Sequence, residues 1–110
     1  MGLLLGIWIG CETAADSADS ACANAPVIGW NDYGQALLLE HCQSCHASTA
    51  PDRYGAPEEV YFDSYDDVVN LRLRMLSVLE TDPPSMPPAV VMPDVDHDML
   101  VSWLLCDVGQ

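Results

Sequence analysis

The 110-residue sequence predicts an all-α domain of about three helices joined by long irregular loops. Val68, Leu71, Met75 and Leu79 recur at helical spacing, and Met99, Leu100, Trp103 and Leu104 make a second such group. No run alternates apolar with polar residues, and no two-residue hairpin turn appears. Residues 83–93 contain five prolines, so this stretch is neither helix nor central strand.

Residues 1–10, MGLLLGIWIG, form an uncharged apolar run ending in a small residue just before Cys11. The run resembles the end of a bacterial lipoprotein signal peptide, whose cysteine becomes the acylated first residue; a plain secretory leader is the other reading. Trp8 stands where Leu is usual, and no basic residue precedes the run; a start upstream of Met1 would supply one. Ten residues are too few to span a bilayer as a helix. Residues 11–26 are rich in Ala, Ser and Asp, a composition that buries little and predicts a flexible acidic tether. The folded domain is expected over 27–110.

The first helix is expected at Asp32, as N-cap, with Gln35 completing a capping box, and it runs through Leu37 and Leu38 into Cys42. His46 to Pro57 reads as loop. Ser64 and Asp67 announce the second helix, which Asp82-Pro83-Pro84 stops. The last helix is expected from about Asp94 to Cys106.

Three Arg, no Lys and seventeen acidic residues give a net charge of −14. This balance excludes nucleic acid, whose phosphates need cationic partners, and excludes binding of anionic lipid through a basic patch. It suits a soluble, self-repelling monomer that meets a basic protein surface, although an acidic surface also serves solubility alone. Five cysteines in a short chain with an expected export leader call for covalent roles.

Cys42-Gln43-Ser44-Cys45-His46 offers one such role. Two thiols three residues apart at a helix end face one side, where each can add to a vinyl group on one porphyrin edge. The adjacent imidazole can then reach the iron, which is the order of residues in c-type haem attachment. A thioredoxin-like CxxC would sit beside a βαβ unit, and none is predicted. A zinc site would need a second ligand pair, with only Cys106 and His97 to draw on. A chance match on a surface helix is the remaining alternative.

An iron held by His46 needs a second axial ligand. Met86 and Met92 lie in the proline-rich segment, and each precedes a proline that restricts the loop. A thioether there would favour reduced iron relative to a second imidazole. Met86, followed by Pro87 and Pro88, is the first candidate, then Met92, with His97, His41 or no ligand behind. Met75 and Met99 lie at helical core positions.

From about Trp30 to Val108 the chain resembles the class I cytochrome c family: CQSCH near the end of the first helix, Met86-Pro87-Pro88 some forty residues on, and a Trp-bearing last helix. The resemblance implies a cytochrome c-like fold wrapped around one covalent haem c, with Cys42 and Cys45 as thioethers and His46 and Met86 as axial ligands. It implies that Gly34 and Trp103 meet where the terminal helices cross, or that Trp103 packs on the porphyrin edge. It also implies that the Pro57 carbonyl bonds the far nitrogen of His46, and that Arg53 pairs with a propionate unless it is a solvated loop charge. The leader, tether and WLLC ending look like small single-haem lipoprotein cytochromes, in which Cys22 and Cys106 would form a terminal disulfide and Cys11 would carry lipid.

The implied function is a periplasmic-side electron carrier held at a bacterial membrane by lipid, or free in the periplasm, serving redox protein partners. The alternative is a haem-based sensor or an accessory haem subunit of a larger redox complex. A peroxidase would need an open iron position with a polar acid–base group, and only His97 or His41 is on offer. The expectation is therefore a non-enzyme.

Overall fold

The computed structural model describes Gly2 and residues 22–88 and 92–109. Among these residues there are four α-helices and no strand: α1 (Gln35–His41), α2 (Gln43–His46), α3 (Tyr65–Leu79) and α4 (Asp94–Cys106). The all-α expectation holds. Cys11, all of the expected leader but Gly2, and most of the tether lie outside the described residues. No described helix is long and apolar enough to cross a membrane.

The entry to α1 differs from the expected capping box. A π-helical turn, Trp30–Gly34, precedes it, and Gly29, extended at ψ 160°, starts that turn with no side-chain cap. The Gly29 carbonyl accepts from the Tyr33 and Gly34 amides at 3.2 and 3.1 Å, so Asp32 lies inside the turn. The wider ring that these bonds close is what displaces Asp32 from the capping position.

The expected single helix is also two. Cys42, at φ −124°, interrupts it. The chain nevertheless keeps its course, because the Cys42 amide still donates to Leu38 and the His46 amide to Cys42, at 2.9 and 3.0 Å.

Helix α3 begins as its sequence dictates. The Ser64 hydroxyl accepts from the Asp67 amide at 3.3 Å, and the Asp67 carboxylate accepts from the Ser64 amide at 2.9 Å. Past its end, the Val78 carbonyl accepts from both the amide and the hydroxyl of Ser85, at 3.0 and 3.2 Å. A carbonyl that the helix leaves without a partner is thereby satisfied from the proline loop. At the far end of α4, the Arg72 guanidinium on α3 donates to the Leu104 and Leu105 carbonyls. That contact caps α4 with a cation, as the helix dipole favours.

The core gathers Leu37 and Leu38 from α1, Val68, Met75, Leu76 and Leu79 from α3, and Leu100, Trp103 and Leu104 from α4. Each such side chain contributes roughly 1.5–3 kcal/mol on burial. Gly34 lies directly against the Trp103 indole, the close approach for which a residue without a Cβ is required. Trp30 covers the same indole, ring centroids 6.2 Å apart. Cys22 and Cys106 are joined as a disulfide with Cα atoms 5.5 Å apart. Beside it, the Asp107 carboxylate accepts from the Ile28 amide at 2.9 Å.

Candidate functional site

The helix break falls at Cys42, the first of the two motif thiols. Neither Cys42 nor Cys45 is in a disulfide, and both are half-buried. Burial, reinforced by the neighbouring Cys45, pushes the Cys42 thiol up to about 12, so at neutral pH it is an undissociated S–H. The Cys45 amide donates to the Cys42 carbonyl at 3.2 Å, which keeps the pair within one turn.

His46 is oriented by a loop rather than by its own helix. Its Nδ1 stands 3.1 Å from the Val60 carbonyl. A carbonyl only accepts, so Nδ1 carries the proton and, in the neutral ring, Nε2 keeps its lone pair. Nε2 makes no hydrogen bond among the described residues. The ring face lies 5.0 Å from Phe62, centroid to centroid. The Phe62 amide donates to the His46 carbonyl at 3.1 Å, and Gln43 Nε2 donates to the Phe62 carbonyl at 2.8 Å. The segment 60–62 is thus fastened along α2.

The expected anchor, Pro57, is corrected by this geometry. Its carbonyl accepts instead from the Val60 amide at 3.0 Å, closing the turn that delivers the Val60 carbonyl to the imidazole. Arg53 has a related structural role. Its guanidinium donates to the carbonyls of Glu58 at 3.0 Å and of Val60, while Nε reaches the Cys45 carbonyl at 3.4 Å. One planar fork holds the loop and α2 together. Nearby, the Ser48 amide and hydroxyl donate to the Asp63 carboxylate and hold its pKa below the usual range.

Met86 and Met92 lie in the proline segment. They line a cavity of about 600 Å³ together with Leu79, Pro84, Pro87 and His97. This is the size range of small-molecule and cofactor sites. Met92 is buried and Met86 half-buried. Cys42, Cys45 and His46 are not among the residues that line this cavity. The structure therefore groups the thiols with the imidazole, and separately groups the two thioethers.

The histidines proposed as other ligands are engaged. His97 Nε2 bonds the Leu79 carbonyl at 2.7 Å, and Nδ1 stands 3.2 Å from Asp98. The carbonyl contact, and then Asp98, hold the His97 pKa above its usual value. His41 Nε2 points to Asp96 at 2.8 Å. Trp103 is fully buried between Gly34 and Trp30, at the helix crossing.

Val60, Phe62 and Gln43 were not among the residues singled out from sequence. Val60 and Phe62 flank Tyr61 in an otherwise polar loop, and two-residue spacing puts them on one side of an extended segment. That was the available signal.

The motif residues have the donor chemistry that a c-type haem needs, two unpaired thiols within one turn and an imidazole protonated at Nδ1 with Nε2 free, whereas the two thioethers line a separate cavity whose wall also carries Glu80, Asp82 and Asp94. Comparison with known protein families, characterised proteins and solved structures found no match to this chain.

Proposed function

We propose that the chain is a small electron carrier that holds one covalent haem c through Cys42 and Cys45, with His46 and Met86 as axial ligands and Met92 as the alternative to Met86. The observation that carries the reading is the His46 tautomer. An imidazole fixed by Nδ1–H to a backbone carbonyl presents Nε2 as a directed base, and that carbonyl strengthens it as a metal donor. Bound in this way, the group would supply one-electron chemistry at an iron with no vacant position.

The chain's own residues have definable tasks. The Cys42 and Cys45 thiols would form the two thioether bonds. Arg53 holds the Val60 carbonyl that orients His46. Leu79 and the prolines around Met86 and Met92 supply the apolar part of a cavity wall that also carries Glu80, Asp82 and Asp94. An exported carrier anchored by lipid on Cys11 at the periplasmic side of a bacterial membrane belongs to the same proposal. So does a redox partner with a basic docking surface, which the charge of −14 would attract.

The test is expression with a c-haem maturation system, followed by a haem-stained denaturing gel and a reduced-minus-oxidised spectrum. Covalent haem is expected in the wild type and not in Cys42→Ala/Cys45→Ala. Met86→Ala should remove the weak sulfur-to-iron band at the red end; its loss in Met92→Ala instead reassigns the ligand. Ready binding of carbon monoxide by the reduced protein would favour the sensor or accessory subunit over the carrier. Bare polypeptide from the maturation strain refutes the proposal.

A further inference from the structure

A second group of metal-ligating side chains lies where the first and last helices approach each other. His41, at the end of α1, is almost fully buried, with a side chain 8% exposed. Its Nε2 stands 2.8 Å from Asp96 Oδ2 on α4 and 3.9 Å from Glu40 Oε2. One ligand atom from each of these three residues lies within 4.8 Å of the others. The Tyr33 hydroxyl stands 3.5 Å from the other oxygen of Asp96 and steadies that carboxylate.

No Lys or Arg neutralises the two carboxylates. The chain has no Lys. Arg53 and Arg72 donate to backbone carbonyls, and Arg74 stands 4.0 Å from Glu59. Among the described residues, no Arg pairs with Glu40 or Asp96. A partly buried imidazole between two uncompensated carboxylates is a nitrogen–oxygen donor set for a divalent transition metal.

We propose that Glu40, His41 and Asp96 form a metal site, separate from the motif thiols, that takes one first-row divalent cation of the Zn²⁺ type. The spacing supports this. A tetrahedral ion with bonds of ~2.0–2.1 Å separates its ligand atoms by roughly 3.3 Å. The separations from His41, 2.8 and 3.9 Å, bracket that value, and the third pair lies within 4.8 Å, so the ion needs side-chain adjustments on the order of an ångström. The exposed Glu40 makes the larger one. On binding, the proton shared between Nε2 and Asp96 leaves to solvent, and water completes the fourth position. The ion would join α1 to α4 beside the haem motif, since His41 immediately precedes Cys42. The proposal does not depend on haem attachment, because none of its ligands belongs to that motif.

Zn²⁺ is the probe of choice, being redox-silent. It is titrated by calorimetry into the full-length protein, with the haem content of each sample read separately from the stained gel. One saturable site per chain is expected. His41→Asn and Asp96→Asn should each weaken it by at least ~10-fold, and Glu40→Gln by a similar factor. Glu40 is largely exposed, so its substitution leaves the fold intact and keeps the test decisive should either buried variant misfold. Absence of saturable binding would overturn the proposal and leave His41–Asp96 as an ordinary hydrogen bond. Binding unchanged by Glu40→Gln, His41→Asn and Asp96→Asn would overturn it equally, placing the ion elsewhere, for instance on unmodified thiols.

Discussion

Replacing Gly34 by Ala tests the helix crossing on which the domain is assembled. An added Cβ would lie 2.5 Å from Trp103 Cε2, closer still to Cζ2, and 2.9 Å from Cη2. These are rigid ring atoms. The indole is 1% exposed and covered by Trp30, so it has nowhere to turn. Overpacking of this kind costs about 1–3 kcal/mol, and the rigidity of the ring puts Gly34 at the upper end. The helix gains about 0.5–1 kcal/mol from losing a glycine, leaving a net loss of about 2 kcal/mol. For a domain of this size, that lowers the midpoint by roughly 8–16 °C in a thermal melt followed by circular dichroism. Gly29→Ala is the control. There the Cβ would meet the carboxylate end of exposed Asp32, which can swing away. A Gly34→Ala midpoint no lower than that of Gly29→Ala would refute the packing argument.

Two further outcomes follow from titrating groups. The His97 value is raised above 6.5, so its protonated form stabilises the fold fully below that pH, and the contribution fades as pH rises through the higher folded value. The melting difference between wild type and His97→Gln should therefore be larger at pH 6 than at pH 9; an equal difference removes the His97–Leu79 contact as a pH-linked tie. In protein without haem, the shift of Cys42 from 9.0 to about 12 leaves roughly a thousandth of the usual thiolate at pH 8. Iodoacetamide should accordingly modify Cys42 at least about tenfold more slowly than the same cysteine in a short peptide, because the higher nucleophilicity of a more basic thiolate offsets only part of its scarcity, and mass spectrometry of timed samples reads the rate.

The parts of the fold visible in the sequence are those decided locally. Ser64 and Asp67 lie three residues apart, and both capping bonds form as that spacing requires. The prolines after Asp82 end α3 for reasons internal to the proline ring. Gly34 against Trp103 was indicated by a family resemblance, and the two are indeed in contact. The start of α1 was misread because Asp32 and Gln35 satisfy a local pattern, while Gly29 offers a competing wider turn. The anchor of His46 was out of reach for a different reason. Which carbonyl meets the imidazole depends on Arg53 drawing together Cys45, Glu58 and Val60, a tertiary arrangement that no spacing rule encodes. The local caps were legible, and the loop that orients His46 was not.

The bond between Cys22 and Cys106 has a mechanical consequence. A pull on the chain ahead of Cys22 enters the domain at the last turn of α4, through a covalent link, instead of peeling the π-helical turn from the core residue by residue. The Ile28–Asp107 hydrogen bond beside it lies outside that load path. Whatever precedes Cys22 is therefore fastened to the C-terminal helix, and strain there bypasses the segment that leads to His46.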